Sequence, residues 1–401
     1  MGRAVPRLRP RRGRRCLKRC ACNLVRSRSG TFARPCASQA SQKDPPAGND
    51  ERVRSLVLVS LENWDNTWRR NQHLCAQLRA QGLVGEITFI EPPLLGRPAR
   101  RSTPLPGIEV LRPALFVPKR YKGFALVGAV LRATVLRYAD LLWVNAPDLG
   151  VHCLKAGMPT VYDVTDDWRT FEQPPRSRDR LVAAEDRLAR RARTIACSQI
   201  LADRWRDRYG VEATVVHNGV DLAAMSEGGM RALPGRKPHV GYVGTLHPER
   251  LDVELVVRLA SSPAIGTVHL VGPDHLGNDA ERLRRVGVLV HGPVPAPEVP
   301  SWMKAMDVLV SPHLVSNFTL SLDAIKSYEY LATGRPVVAT PTSGFQVLSS
   351  PALTCAPEES FVAAVEEAVG GQFAPETSAG WDRRAREFAS ALGIPLSGGG
   401  V

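Results

Sequence analysis

The chain has 401 residues, of which 44% are hydrophobic and 23% charged, proportions ordinary for a soluble globular protein of two or three domains. Its net charge is +14, but the first 50 residues hold 11 Arg and 2 Lys against 2 Asp, which leaves only +3 for the remainder. A body this weakly basic gives no support for a nucleic-acid-binding protein.

The basic tail, residues 1–50, contains no apolar run long enough for a signal peptide or a membrane span. We expect disorder there, although the composition also suits a transit peptide, sequence upstream of the true start codon, or a segment that binds anionic lipid or nucleic acid. Its four cysteines fit no standard zinc spacing. The other four lie in apolar segments and are predicted to be reduced core cysteines of a cytoplasmic protein: Cys75, Cys153, Cys197 and Cys355.

Short β-rich segments alternate with helix-period segments from Val53 onward, which predicts βα units on parallel sheets. The β-rich segments are 53–60, 86–92, 141–147, 160–164, 194–198 and 213–219, then 239–244, 267–272, 288–292, 307–312 and 336–340. The clearest helical segments between them are 68–81, 124–138 and 176–192.

The Gly- and Pro-containing segment 222–238 interrupts this alternation and is predicted to be a linker. It divides a domain at 51–221 from a domain at 239–372, and residues 373–401 hold a last helix and tail. The predicted fold is α/β, with two doubly wound Rossmann-like domains that face each other across a cleft. Ligands in such sheets bind at the carboxyl ends of the strands.

The segment 321–340, SLDAIKSYEYLATGRPVVAT, predicts a helix of about three turns that Ser321 caps and that leads into a buried strand. Asp323 would lie in the first turn, and Lys326 and Glu329 would share one face. A helix N-terminus and a lysine suit phosphates, and a carboxylate suits ribose hydroxyls. An exposed ion pair is the alternative for an isolated K-x-x-E.

Glycines end three consecutive strands of the second domain, at Gly244, Gly272 and Gly292. A glycine at a strand end lets a ligand approach the backbone closely, so the repetition favours nucleotide binding. Neither a Walker loop nor a G-x-G-x-x-G fingerprint is present in the sequence.

The first domain offers candidate anion ligands in Arg69 and Arg70, at the start of the helix that begins near Trp68, with His73 one turn further. Two cations at the positive end of a helix suggest a bound anion, and two solvated arginines are the alternative. His73 would either line the cleft or pack.

Three carboxylates follow the strand at 160–164, at Asp163, Asp166 and Asp167. Clustered carboxylates suggest a metal or an acid–base pair. We expect Asp166 to accept a hydrogen bond from a substrate hydroxyl and Asp163 to have a structural capping role. The apolar helix at 124–138 follows a basic segment and suggests either core packing or contact with a membrane surface.

Four motifs together resemble the group 1, family 4 glycosyltransferases of the GT-B fold: VHNGVD (216–221), GYVGTL (241–246), 290–312 and IKSYEYLATGRPVVAT (325–340). The first domain, with W-x-x-x-Q-H and YDVTDDW, is similar to the teichuronic-acid-type branch of that family. The resemblance implies a nucleoside-diphosphate-sugar donor in the second domain and a carbohydrate or lipid-linked acceptor in the first. It also implies transfer with retention at the anomeric carbon and without a metal or other cofactor.

By the same resemblance, Glu329 is the ribose-binding carboxylate, Lys326 faces the phosphates, and Gly244 and Thr245 form the loop that approaches the diphosphate. Two positions depart from the family pattern. Ser321 stands where the first glutamate of the E-x7-E motif is expected, and Thr245 replaces a basic residue, which leaves Arg250 as the nearby cation. Gly272 completes the predicted donor site.

The sequence therefore predicts a cytoplasmic glycosyltransferase that acts in the synthesis of envelope polysaccharide or glycoconjugates. In one interpretation it is a peripheral protein bound to the anionic inner face of the membrane. Negative charge grows on the leaving diphosphate, and Lys326 and the helix dipole would stabilise it. A nucleotide-sugar epimerase of the same fold and a non-catalytic binding protein are the alternatives, the second because of Ser321 and Thr245.

Overall fold

The computed structural model describes residues 53–170, 173–227 and 229–396. The predictions of disorder, of a zinc site and of lipid or nucleic-acid binding in the basic tail lie outside the described residues.

The first half of the chain builds a sheet whose central strands are buried on both faces. Its elements, in chain order, are β1 (Val53–Val59), α1 (Arg70–Ala80), β2 (Val84–Ile90), β3 (Leu94–Leu95), β4 (Arg100–Leu105), β5 (Ile108–Arg112), β6 (Ala114–Leu115), α2 (Gly123–Thr134), β7 (Leu141–Val144), α3 (Pro147–Gly150), β8 (Thr160–Val164), α4 (Pro175–Leu188), β9 (Arg193–Ala196), α5 (Gln199–Tyr209) and β10 (Ala213–Val215).

Eight of these strands form one sheet in the order β10-β9-β8-β7-β1-β2-β5-β4, while β3 and β6 pair separately. All neighbours in the large sheet are parallel except β4, which runs antiparallel to β5. Every residue of β7 and β8 is buried, since helices cover both faces. That is why β7 is a continuous apolar run in the sequence rather than an alternating one, whereas β8 also contains the buried polar residues Thr160 and Asp163.

The second half builds an all-parallel sheet in the order β13-β12-β11-β14-β15-β16. Its elements are α6 (Leu222–Glu227), β11 (His239–Val243), α7 (Val253–Ser261), β12 (Thr267–Val271), α8 (Asn278–Arg285), β13 (Leu289–Gly292), α9 (Val299–Ala305), β14 (Val308–Ser311), α10 (Ile325–Leu331), β15 (Val337–Ala339), α11 (Ser343–Gln346), β16 (Leu353–Cys355), α12 (Phe361–Ala368) and α13 (Trp381–Leu392).

The last helix, α13, does not pack with the second sheet. It contacts α1, and its apolar face joins the core of the first half through Trp381, Phe388 and Leu392. The Phe388 ring lies 4.6 Å from the Trp143 ring of β7. The final segment of the chain therefore braces the first sheet.

The predicted fold class is confirmed, and every predicted β-rich segment is a strand. The short strands between 94 and 115 and the edge strand β16 were not predicted. β4 is almost entirely exposed and polar, so only its antiparallel pairing with β5 makes it a strand. Cys75, Cys153 and Cys197 are buried free thiols, but Cys355 is exposed because β16 lies at the sheet edge, so its prediction as a core residue was wrong. The domain limits stay a prediction.

Candidate active site

Glycine backbones line the carboxyl ends of β11 and β12. Gly244 has φ 151° and Gly272 has φ 141°, a region that side-chain-bearing residues rarely adopt. A Cβ on Gly272 would lie 2.1 Å from the Gly244 carbonyl oxygen, and one on Gly244 would lie 2.9 Å from the Lys326 Nζ. These two strand ends therefore have no room for a Cβ atom at Gly244 or Gly272, and their backbone atoms lie next to the Lys326 ammonium.

Lys326, in α10, is the cation beside these glycines. Its Nζ lies 3.9 Å from the centre of the Tyr242 ring, contacts the Tyr242 hydroxyl, and lies 3.5 Å from His313 Nε2. Burial, reinforced by the nearby Arg250 cation, lowers the pKa of Lys326 to about 7. Among the described residues no carboxylate forms an ion pair with its ammonium, and the nearby Glu329 only opposes the lowering of its pKa. The site therefore lacks a negative partner for this group.

Glu329 lies one turn further along α10. Burial raises the pKa of its carboxyl to about 7, and the nearby Lys326 opposes that rise. Within the described parts of the chain, no hydrogen-bond donor contacts this carboxylate. An incoming hydroxyl would therefore meet a free acceptor.

Arg250 adds a second cation that has no carboxylate partner in the described part of the chain. Its guanidinium lies 5.1 Å from the Phe318 ring. Its charge contributes to the lowered pKa of Lys326. The pKa of His313 is lowered mainly by burial, then by Lys326, and least by Arg250. The same charge opposes the burial that raises the pKa of Asp166. Arg250 thus connects the donor-side residues electrostatically with a carboxylate of the first half.

Thr245 is the other residue of the predicted phosphate loop. Its carbonyl oxygen accepts a hydrogen bond from the Tyr242 hydroxyl at 3.1 Å. That hydroxyl also lies 3.3 Å from His313 Nε2. Tyr242 therefore connects the loop to the Lys326 ammonium and holds both in place.

The predicted three-turn helix is shorter than expected. α10 spans seven residues, and Ala324 is its N-cap with no side-chain hydrogen bond, so Ser321 does not cap it. Ser321 instead ends a 3-10 turn, where its hydroxyl donates to the Phe318 carbonyl at 2.7 Å. Its own carbonyl accepts from the Ser198 hydroxyl at 2.7 Å. A contact between the halves of the chain therefore replaces the expected cap.

Asp323 lies before α10 and not in its first turn. Its carboxylate accepts hydrogen bonds from the Asn218 amide and from the Tyr328 hydroxyl, the latter at 2.7 Å. The Asn218 side-chain amide also donates to the Asp323 carbonyl at 2.6 Å. This carboxylate joins the VHNGVD segment to the second half. It does not lie in the first turn of α10, where it was expected to interact with the helix dipole.

Arg70 does not present its charge to a ligand, contrary to the prediction that it binds an anion on the acceptor side of the first domain. The residue is buried at 5% exposure, and its Nε and Nη2 donate to the two Asp163 carboxylate oxygens at 3.0 and 3.1 Å. Its Nη1 donates to the Asn218 side-chain oxygen and to the His217 carbonyl. All of its donating groups are occupied, so Arg70 is a structural residue, and Asp163 is its partner rather than a cap.

Arg69 is the N-cap of α1, and its side chain is half-exposed. Its guanidinium lies 3.5 Å from Asp65 and 3.8 Å from Glu62, so carboxylates already neutralise it. His73 stacks on Trp381 at 4.8 Å, and burial lowers its pKa to about 4. Of its two predicted roles, the structure shows packing.

The three aspartates after β8 have three different environments. Asp163 is paired with Arg70, and the carboxylate of Asp167 lies 2.9 Å from Arg204 and 3.7 Å from Arg208. Of the residues that the structure describes, only Thr165 donates a hydrogen bond to Asp166, from its hydroxyl at 3.2 Å. In the described part of the chain, no group of three or more His, Cys, Asp or Glu side chains is arranged to hold a metal ion.

Three further residues belong to this region and were not predicted. Tyr242 and His313 contact Lys326, and the only sequence signal for them is their position inside or just after strand-end motifs. Glu62 follows β1 and has one buried oxygen without a hydrogen-bond partner. Burial raises the pKa of Glu62 to about 7, while Arg69 opposes the rise.

Two family models match the chain in succession. Residues 68–224 match the model described as Glycosyltransferase Family 4, and residues 237–370 match that of Glycosyl transferases group 1. Together these matches cover the second sheet and all of the first sheet except β1. The chain belongs to the family 4, group 1 glycosyltransferases, and it is a glycosyltransferase of the GT-B fold.

This glycosyltransferase is 29% identical over 321 residues to TuaH of Bacillus subtilis (strain 168), whose name assigns it to teichuronic acid biosynthesis. The alignment covers 71% of this chain and 80% of TuaH.

Solved structures of low sequence identity share the fold. Sucrose-phosphate synthase from Thermosynechococcus elongatus superposes with a TM-score of 0.62 at 16% identity, over 84% of this glycosyltransferase and 94% of that chain. HepE from Anabaena, solved in complex with UDP, superposes with a TM-score of 0.53 at 18% identity, over 85% and 97%.

Proposed function

We propose that this glycosyltransferase moves a sugar from a nucleoside diphosphate to a hydroxyl of a carbohydrate or lipid-linked acceptor, with retention at the anomeric carbon and without a metal. The acceptor belongs to cell-envelope polysaccharide synthesis, a proposal that the likeness to TuaH supports. The reaction takes place in the cytoplasm, at the inner face of the membrane. A nucleoside-diphosphate sugar serves as co-substrate and no other cofactor takes part.

One observation carries the donor part of this proposal. Lys326 lies beside the bare glycine backbone with Arg250 near it, and the described residues supply neither cation with an ion-pair partner. Two like charges held together in a partly buried site raise the free energy of the empty protein, and a diphosphate would remove that cost. HepE, which shares the fold, was solved with UDP, which makes UDP-sugars the first donors to test.

Glu329 completes the donor site because its carboxylate is unoccupied and lies on the same helix as Lys326. A carboxylate that accepts from two neighbouring hydroxyls recognises a ribose, since each such charge-assisted hydrogen bond is stronger than a neutral one. Thr245, Gly244 and Gly272 then supply the surface against which the diphosphate lies.

In the proposed transfer, the bond between the anomeric carbon and the donor phosphate oxygen breaks, and the diphosphate leaves with the electron pair. The acceptor oxygen forms the new bond to that carbon, and its proton passes to the leaving diphosphate. Lys326 and Arg250 stabilise the charge that develops on the leaving group. Asp166, whose pKa burial raises, accepts the hydrogen bond of the acceptor hydroxyl and orients it.

Titration calorimetry with UDP-sugars tests the donor assignment, starting from a thermal-shift screen against UDP-, GDP-, ADP- and dTDP-sugars. Glu329→Ala is expected to weaken donor binding by about 10²- to 10⁴-fold, since it removes two charged hydrogen bonds that each contribute roughly 1.5–3 kcal/mol. Glu367→Ala, an exposed carboxylate on α12, is the matched control. Unchanged donor binding in Glu329→Ala would show that this carboxylate does not hold the ribose. Product analysis without acceptor separates the transferase from an epimerase.

A further inference from the structure

The helix α2 is apolar on both faces, although only one of them is buried. Phe124, Val127 and Leu131 belong to the core of the first half. On the outer face, Leu126 and Val130 lie one turn apart and are 55% and 54% exposed. A surface helix of a soluble domain normally turns polar residues toward water, so core packing accounts for only half of this helix.

Neighbouring elements extend this outer face. The strand β6 and the 3-10 turn at Lys119–Tyr121 contact α2, and β3 pairs with β6. These elements expose further large apolar side chains, namely Leu95 at 56%, Phe116 at 75% and Tyr121 at 64%. We refer to Leu95, Phe116, Tyr121, Leu126 and Val130 as the apolar patch. Contiguous exposed apolar surface of this kind marks an interaction site.

Cations flank the apolar patch, while acids are absent from the segment that supplies four of its five residues. Residues 110–139 contain six Lys and Arg residues and no Asp or Glu. The Arg120 guanidinium lies 4.9 Å from the Tyr121 ring, and the Lys119 ammonium lies 4.2 Å from the Phe124 ring. The partner of this surface must therefore be both apolar and negatively charged.

A groove of about 190 Å³ between the Lys119 turn, α2, α3 and α4 adds a site for the negative groups. Three cations line it, Lys119, Arg180 and Arg187, against a single carboxylate, Asp148, which lies 3.2 Å from Lys119. In the described part of the chain, Arg180 donates only to the Ser177 hydroxyl, at 3.1 Å, and Arg187 has no ion pair. At least two of the groove cations are thus free for a phosphate.

We propose that this face docks on an anionic phospholipid bilayer, with lipid phosphates in the groove and acyl chains against the apolar patch. A second copy of the chain would bring two basic segments together, whereas an anionic bilayer matches both the charge and the apolar character. α2 has 12 residues and so a length of about 18 Å, which suits a helix that lies in the interface. Among the described residues, no helix is long and apolar enough to cross a membrane.

The inference rests on the proposed function in one respect, namely that an enzyme of envelope synthesis binds its acceptor at a membrane. Nucleotide binding involves none of the residues of this face. A loss of vesicle binding with intact UDP-sugar binding therefore reports on the docking face alone, and a loss of UDP-sugar binding reports on the donor site.

The test is co-sedimentation of the full chain with vesicles of phosphatidylglycerol and phosphatidylcholine, or of phosphatidylcholine alone. Binding is measured at 0.1 M and 0.5 M NaCl. The higher salt concentration shortens the Debye length to about 3–5 Å and so screens the charge of the basic tail. The wild type is expected to bind anionic vesicles. Leu126→Asp together with Arg187→Glu should reduce the partition coefficient by about 30-fold or more, since an apolar contact and a phosphate contact are both lost.

The matched control is Val286→Asp together with Arg285→Glu, which places the same changes on exposed positions at the end of α8. This variant carries the same tail and the same net charge as the test variant, and it should bind vesicles like the wild type. Gel filtration and UDP-sugar titration confirm that each variant is folded.

Equal vesicle binding by the two double variants would overturn the proposal. So would wild-type binding to phosphatidylcholine alone that matches binding to anionic vesicles. A concentration-dependent dimer that only Leu126→Asp/Arg187→Glu dissociates would also overturn it, since the face would then be an interface between copies of the chain.

Discussion

The strand ends of the two halves use their charged side chains in opposite ways. In the first half, Arg70 is bonded to Asp163, and Asp167 lies within ion-pair distance of Arg204 and Arg208. In the second half, no ion pair of the described residues neutralises Lys326 or Arg250, and bare glycine lies beside Lys326.

The difference distinguishes charged side chains that stabilise the fold from charged side chains that are available to bind a ligand. A buried charge whose hydrogen bonds are all made within the protein holds segments together and has no capacity left for a substrate. A partly buried charge without a partner has a shifted pKa and gains when a ligand supplies the missing charge. On this criterion we propose the second half as the donor side.

Breaking the buried ion pair is the largest expected effect. Arg70→Met leaves the Asp163 carboxylate buried without a cation, so the free energy of unfolding should fall by about 3–5 kcal/mol in urea titrations. Arg206→Met, which breaks an exposed pair with Asp203, is the control and should change it by at most about 1 kcal/mol. Similar losses in the two variants would mean that Arg70 is not specially structural.

Removing the unpaired lysine should affect catalysis and not stability. Lys326→Ala is expected to lower kcat by about 10²- to 10³-fold, the loss seen when one charge-stabilising donor is deleted, with a smaller change in donor affinity. The melting temperature should change little, because the loss of the Lys326 contacts with Tyr242 and His313 is offset by removal of a buried cation that has no ion-pair partner. A melting temperature that falls as far as that of Arg70→Met would contradict the contrast between the halves.

The pH dependence of donor binding should reveal the same lysine. The pKa of Lys326 is about 7 in the empty site, and a bound diphosphate raises it because it stabilises the ammonium. Above pH 7 binding must therefore take up a proton, and the affinity should fall by up to about tenfold per pH unit. Below pH 7 Glu329, whose pKa is also about 7, must lose a proton, so affinity should fall there as well.

Titration calorimetry at pH 8 in two buffers of different ionisation enthalpy measures this proton uptake directly. Lys326→Met should remove the alkaline decrease in affinity and leave the acidic one. Proton release at pH 8 in the wild type would place the titrating group elsewhere.

The smallest effect is expected at Arg69, which the sequence places beside Arg70. Because Asp65 and Glu62 already neutralise its half-exposed guanidinium, Arg69→Ala should change unfolding free energy by at most about 1 kcal/mol. A large increase in the KM for the acceptor, measured at saturating donor, would show instead that Arg69 leaves its carboxylates to bind substrate.

The sequence by itself determined the alternation of strands and helices, the parallel sheets and the family. These follow from local patterns: apolar runs for strands buried on both faces, periodic helices between them, and glycine at three consecutive strand ends. Lys326 and Glu329 could be selected as a pair because three residues of helix place them on one face, a relation that needs no tertiary contact.

Tertiary structure decided which charges are free. Arg69 and Arg70 are neighbours in the sequence, yet one is half-exposed and the other is bonded to Asp163, 93 residues away. Likewise, Ser321 and Asp323 were predicted to serve a helix but instead join the two halves, through Ser198 and Asn218. The physical reason is that the partner that neutralises a side chain, and the burial that shifts its pKa, come from segments distant along the chain, whereas periodicity is local.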